Sequence, residues 1–180
     1  MSAIATERLS LLPWEAEHVE LLCRLGSTPE VMAFIGSGEL WSEERSKEVS
    51  DIAVAHWAQH GFGWRVAAER ATGRLIGFIG LNLAGEGTRG VPADEFEIGW
   101  WMDPVVWGRG FAREGGAAAR DEAFNHLNAP SVIARIQPAN KASIAVAESI
   151  GLTHSFDTTG KYGEPVSVYR LDPATANAAD

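Results

Sequence analysis

The run Trp107-Gly108-Arg109-Gly110-Phe111-Ala112 places two glycines around a guanidinium, directly ahead of an alanine-rich segment. Glycine on both sides of Arg109 lets the backbone turn tightly and leaves its N–H groups uncovered. Residues 113–127 read as a helix, so those N–H groups sit at a helix N-terminus. Such an end carries unpaired donors and a partial positive charge. It suits a phosphate or pyrophosphate, to which Arg109 adds a charge-assisted contact. Alone, the hexapeptide is read equally well as a tight turn.

The bulk properties narrow the chemistry. A chain of 180 residues is sized for a single domain, 1–180, with a sizeable core. A formal net charge of -9 argues against a nucleic-acid surface, which needs clustered Lys and Arg. Cys23 is the lone cysteine, so no internal disulfide and no multi-cysteine metal site is expected, and no metal is invoked. A single Cys on an apolar helix face is more often core than nucleophile. No leader-like apolar stretch opens the chain and no apolar run approaches ~20 residues, so a cytoplasmic location without membrane contact is expected.

The loop needs a strand before it and a helix after it. Residues 95–102 alternate Glu95/Glu97/Gly99/Trp101 against Phe96/Ile98/Trp100/Met102 and stop at Asp103-Pro104. Ahead of them, 62–68 and 75–83 read as a hairpin, followed by a Gly-rich mobile loop at 84–93. A first strand spans 8–13. Three helices come early: over 15–25, from a Thr28 cap and Pro29 to an end at Ile35-Gly36-Ser37-Gly38, and from Ser42 to Gly61. The third has Ile52, Ala55, Trp57 and Ala58 as its expected buried side. Downstream come a strand at 131–137, a helix at 140–150, closing strands at 152–156 and 166–171, and a frayed tail at 172–180. Phe34, Trp41, Trp57, Phe62 and Trp64 read as core packing or as the wall of an acceptor pocket.

The order of these pieces resembles the GNAT acyltransferases, and more narrowly their RimJ/RimL-like branch. That family writes its pyrophosphate loop (Q/R)-x-x-G-x-(G/A); here Trp107 stands at the first position. Asn140-x-x-Ser143 followed by Ser149-Ile150-Gly151-Leu152 is similar to its later N-x-x-S…G-(F/L) motif, and Thr6-Glu7-Arg8-Leu9 to its usual start. The resemblance spans 6–171. It implies an α+β fold: an α/β/α sandwich with a mixed, mostly antiparallel sheet, a V-shaped splay between central strands and helices on both faces.

It further implies acetyl-CoA as co-substrate, a small-molecule or peptide amine as acceptor, and a possible homodimer. By carry-over, the backbone of Trp100 and Met102 pairs with the pantetheine arm, Trp107 to Ala112 hold the pyrophosphate, and Asn140 and Ser143 contact CoA. Asn140 and Ser143 also have the plain reading of a helix cap. A backbone N–H near Gly99 is expected at the thioester oxygen. Glu97 is the candidate base, with an ordinary strand carboxylate as the equal alternative; Glu95 shares that ambiguity and His154 is a lesser candidate. Many family members carry a tyrosine where this chain has Ala147, so Ser143 is left to hydrogen-bond the CoA sulfur, or solvent to protonate it. A non-catalytic acyl-CoA-binding module is the competing function. A succinyl donor is a further alternative, while nucleotide folds lack their glycine fingerprints here.

Overall fold

Strand alternation and helical periodicity sort the apolar side chains onto the two faces of one sheet. The computed structural model describes residues 3–173. In chain order the elements are β1 (Ile4–Ala5), β2 (Leu9–Pro13), a 3₁₀ turn (Ala16–His18), α1 (Val19–Gly26), α2 (Pro29–Met32) and α3 (Glu43–His60). Then follow β3 (Arg65–Glu69), β4 (Leu75–Leu83), β5 (Phe96–Met102), a 3₁₀ turn (Pro104–Val106) and α4 (Phe111–Asn125). The chain closes with β6 (Val132–Ile136), α5 (Lys141–Ser149), β7 (Thr153–Thr159) and β8 (Pro165–Leu171).

The eight strands lie in the order β1-β2-β3-β4-β5-β6-β8-β7. Every neighbouring pair is antiparallel except β5 and β6. That parallel pair is short, matching Phe96 with Val132 and Glu97 with Ile133. Past Glu97 the two strands part, which is the expected splay.

Helices cover both faces. On one, α4 and α5 bury Leu9, Leu11, Ile79, Leu81, Ile98 and Met102. On the other, Leu21, Leu22 and Leu25 of α1 and Ala53 of α3 pack on Trp14, Val66 and Phe78. Burial of each such large side chain stabilises the fold by about 1.5–3 kcal/mol. Helix α4 lies close to the sheet: a Cβ on Gly115 would sit 2.6 Å from Ile79 Cδ1. A buried ion pair ties the same layers, with Arg65 Nε and Nη2 of β3 donating to Glu122 of α4 at 2.9 and 2.5 Å.

Three expectations are corrected. Helix α3 begins as expected, Ser42 accepting the Arg45 N–H, and ends at left-handed Gly61, but its buried face differs. Ile52 is 64% exposed and Ala55 and Ala58 are exposed, whereas Ser46, Ser50 and Ala53 are buried and Trp57 is half-buried. Ser50 fits that face because its Oγ accepts the Trp14 indole N–H at 3.0 Å. Helix α2 ends early, at Met32, and Thr28 donates to the Arg24 carbonyl instead of capping it. The added strand β1 is two residues long. Of the expected frayed tail, residues 174–180 lie outside the described residues. Among the described residues, no helix is long and apolar enough to cross a membrane.

Candidate active site

Strand β5 leads into the glycine loop through Asp103. Its carboxylate accepts the Val105 N–H at 3.1 Å and receives Arg24 and Arg74. Burial alone would push this carboxyl up; the Val105 N–H and the two guanidinium groups outweigh it and hold it below its ordinary range. The loop is then tied back to the strand, because the Trp107 indole donates to the Met102 carbonyl at 2.8 Å.

Gly108 and Gly110 have φ of 72° and 81°, the left-handed region that glycine occupies without strain. Gly110 is the residue before the first turn of α4. Among the described residues no acceptor meets the N–H groups of Gly108, Gly110, Phe111 or Ala112. An added Cβ at Gly108 meets nothing within 4 Å, so the loop surface is open. Open space, unpaired donors and a helix N-terminus together fit a pyrophosphate.

The charged groups around the loop are arranged differently from the expectation. Arg109 pairs with Glu69 at 3.0 Å and lies over the Phe111 ring, so its charge is partly spent within the protein. Arg8, which sequence reasoning quoted only as part of the chain start, also lies over Phe111 and donates to the Arg109 carbonyl at 2.8 Å. It is anchored by Glu114, 2.7 Å from its Nε. Burial would raise the Glu114 carboxyl, but bonds from Thr6 and Arg8 hold it below its usual range. Arg113 is exposed in the first turn of α4 and has no ion-pair partner among the described residues. The signal for it was its place three residues after Gly110.

The backbone of β5 alternates. The Asp103 N–H donates to Ile76 and the Glu95 carbonyl accepts from Ala84, both at 2.8 Å, so odd-numbered residues turn their polar groups toward β4. Even-numbered residues turn theirs toward β6, and Trp100 and Met102 lie beyond the last rung of that pairing. They meet the opened edge, with the Met102 carbonyl already held by Trp107. Gly99 is paired with Gly80, and by the same alternation its N–H points to β4, away from the splay. The expected donor near Gly99 is therefore not its own N–H.

A cleft of about 380 Å³ runs through the splay, lined by Glu97, Gly99, Trp100, Trp101, Arg135, Asn140 and Ser143 among others. Asn140 Oδ1 accepts the Ser143 N–H at 3.1 Å, making Asn140 the cap of α5. Ser143 Oγ accepts the Trp100 indole N–H at 3.3 Å, so its own hydroxyl hydrogen remains available. Ala147 is fully buried, and the hydroxyl in that turn of α5, on Ser149, is exposed and donates to the Val146 carbonyl at 2.7 Å. Phe34, Gly36, Lys161 and Tyr162 form the mouth.

A second cleft of about 330 Å³ lies under α3, lined by Val49, Ala53, His56, Trp64, Asn82 and, shared with the first, Glu97, Gly99, Trp101 and Arg135. Of the expected aromatic set, Trp64 reaches it. Glu97 stands where the two clefts meet, in a two-point ion pair with Arg135 at 2.8 and 2.6 Å. Burial opposes the Arg135 charge, but Glu97 and the nearby Glu164 raise its guanidinium above the usual value. His56 donates from Nδ1 to the Phe62 carbonyl at 2.9 Å and accepts the Leu83 N–H at 3.4 Å, the tautomer this network assigns. Burial lowers its proton affinity, against the Phe62 carbonyl and with help from His60.

Two candidates stand elsewhere. Glu95 is bound to Ser131 and to Arg170, and lines neither cleft. His154 is exposed on β7, 2.9 Å from Asp157, with its ring against Tyr169. The Glu95 pairings span 36 and 75 residues and are not readable from local spacing.

A family model described as "Acetyltransferase (GNAT) domain" matches residues 8–153. The chain is 32% identical over 168 residues to the FsC-acetyl coenzyme A-N(2)-transacetylase of Aspergillus fumigatus, covering 89% of this chain and 68% of that protein. Among solved structures, an acetyltransferase from Agrobacterium tumefaciens superposes with a TM-score of 0.80 and 31% identity over 95% of this chain and 94% of that one. The spermidine N-acetyltransferase of Vibrio cholerae, solved with CoA and spermine, superposes at 0.72 with 18% identity over 96% and 99%. At that identity the likeness is one of fold.

Proposed function

This chain belongs to the GNAT acetyltransferase family, N-acetyltransferases that use acetyl-CoA as co-substrate, and from that premise we propose that it acetylates a primary amine by direct attack in a ternary complex, as one catalytic domain. The observation that carries this reading is the meeting of the open α4 N-terminus with the unpaired edge of β5 and with two clefts that share Glu97 and Gly99.

Each group has a task. The N–H groups of Gly108 to Ala112 take the pyrophosphate, with Arg109 and Arg113 adding positive charge at the same helix end. The Trp100 backbone and the Met102 N–H pair with an extended amide-bearing arm, strand to strand. In the transfer itself the amine nitrogen bonds to the acetyl carbon and the C–S bond breaks. The ammonium first loses a proton toward Glu97, directly or through water. Two lone pairs of that carboxylate are taken by Arg135, which leaves others to accept from an ammonium.

The Ser143 hydroxyl donates a hydrogen bond to the leaving thiolate, and solvent supplies its proton. Ser143 sits in the first turn of α5, where the helix end favours negative charge on sulfur. A strong dedicated acid is then unnecessary, in keeping with Ala147. Much of the rate comes from holding the two substrates in register.

The direct-attack reading is tested by steady-state kinetics with both substrates varied. Intersecting lines support a ternary complex; parallel lines would point to an acetylated enzyme and overturn it.

A further inference from the structure

Gly99 is a glycine without a protein-internal reason. Its φ lies outside the left-handed region, so its backbone does not require glycine. An added Cβ would meet no atom within 4 Å, so packing does not require it either. Among the described residues, every other glycine with an ordinary φ has a protein atom 3.3 Å or less from such a Cβ. A glycine in a strand interior weakens the strand and commonly marks close approach of a ligand.

The open space has a definite position. Alternation puts Gly99 on the same face of β5 as Glu97 and Trp101, and Trp101 packs into the α1–α3 side of the sheet. Gly99 pairs across the strand with Gly80, whose Cβ position is crowded by Trp64 Nε1 and Asn82 Oδ1. Gly99 is therefore the bare part of the floor, bordered by Trp64 and Asn82 over Gly80 and by Glu97 and Trp101 along β5. Gly99 belongs to both clefts.

The walls also select chemistry. His56 uses both ring nitrogens within the protein. Asn82 accepts the Trp64 indole N–H at 3.2 Å and donates to the Leu83 carbonyl at 2.9 Å. What this cleft offers a guest is indole surface and the Glu97 carboxylate, with few polar groups left to satisfy hydroxyls.

We propose that the bare floor at Gly99 is the passage through which the acceptor amine reaches the acetyl group, and that the α3-side cleft takes an amine carried on a flat apolar body. The inference rests on the acetyl-transfer reading above and adds where the acceptor lies and what kind it is. Gly99 acts as a positioning residue that sets acceptor size.

The test compares wild type, Gly99→Ala and Gly99→Val with 2-phenylethylamine, spermidine and kanamycin as acceptors, measuring CoA affinity by calorimetry and thiol release kinetically. Expected are unchanged CoA affinity, Tm equal to or above wild type for Gly99→Ala, and kcat/KM for 2-phenylethylamine lowered at least about 10-fold in Gly99→Val. Wild type should use 2-phenylethylamine best of the three. Full activity in Gly99→Val would overturn the passage, as would loss of CoA binding, which would place the space on the donor's path. Preference for kanamycin or spermidine would overturn the acceptor class. If Gly99→Val does not fold, Gly99→Ala decides by the same readouts; failure of both to fold would contradict the open space itself. Wild type releasing no thiol with any amine refutes the acetyl-transfer reading, and this inference with it.

Discussion

Arg135 of β6 holds Glu97 of β5 through two hydrogen bonds, 2.8 Å from Nε and 2.6 Å from Nη2, at the last rung before the central strands part. The pair fixes a carboxylate at the point where both clefts meet, and Thr88 and the Ala84 carbonyl hold the guanidinium in turn. Glu97→Gln keeps the shape and removes the charge. With Glu97 taking the ammonium proton, that variant loses about 10²-fold or more in kcat/KM for the amine while CoA affinity holds. Wild-type kinetics in Glu97→Gln would leave the residue as a strand carboxylate.

The glycine loop is tested by Gly110→Glu. A side chain at φ 81° costs roughly 1–2 kcal/mol of backbone strain, and it brings a carboxylate to the anion site. The variant should fold with lowered Tm and lose CoA binding in calorimetric titration. Undiminished affinity in the folded variant would remove the loop from the binding site.

Asn140→Ala removes the side-chain cap on the Ser143 N–H. Stability should fall by about 1 kcal/mol in urea unfolding, together with weaker CoA binding. A stability change with full CoA affinity would reduce Asn140 to a cap.

Glu122→Ala would remove the carboxylate that holds Arg65 in the core, where both side chains are almost wholly buried. Breaking such a pair costs about 3–5 kcal/mol, read as a shift of the denaturation midpoint. A loss under 1 kcal/mol would show that the Glu122 pairing contributes little to the fold.

Acid should weaken the fold in two stages. Burial lowers the folded-state proton affinities of His18 and His56, against Glu17 and Glu15 for the former and the Phe62 carbonyl for the latter. The unfolded chain therefore binds their protons first, and stability declines as pH falls from the ordinary histidine range toward the lowered folded values. Asp103 and Glu114, held below their ordinary ranges, add stability that disappears as pH falls further through their folded values. Chemical denaturation between pH 7.5 and 5 should show the first stage, reduced in His56→Gln. A flat profile there would contradict the burial of the two imidazoles.

What was legible in the chain was what local rules govern. The β3–β4 hairpin, the stop at Asp103-Pro104, the glycine loop ahead of α4 and the Asn140 cap all follow from neighbouring residues. The buried face of α3 was misread because Ser46 and Ser50, not Ile52, turn inward, and polarity hides such a face. The partners of the carboxylates were invisible for another reason. Glu97 meets Arg135 across 38 residues and Glu95 meets Arg170 across 75, through pairings that topology alone creates. Arg8 reached the loop in the same way, from 101 residues away.

The central claim is acetyl transfer to an amine, and its most direct measurement is CoA thiol release from acetyl-CoA with and without a panel of primary amines. The account predicts release that depends on amine, saturates with it, and is matched by a product heavier by one acetyl group. Acetyl-CoA binding with no amine-dependent release across the panel would contradict it.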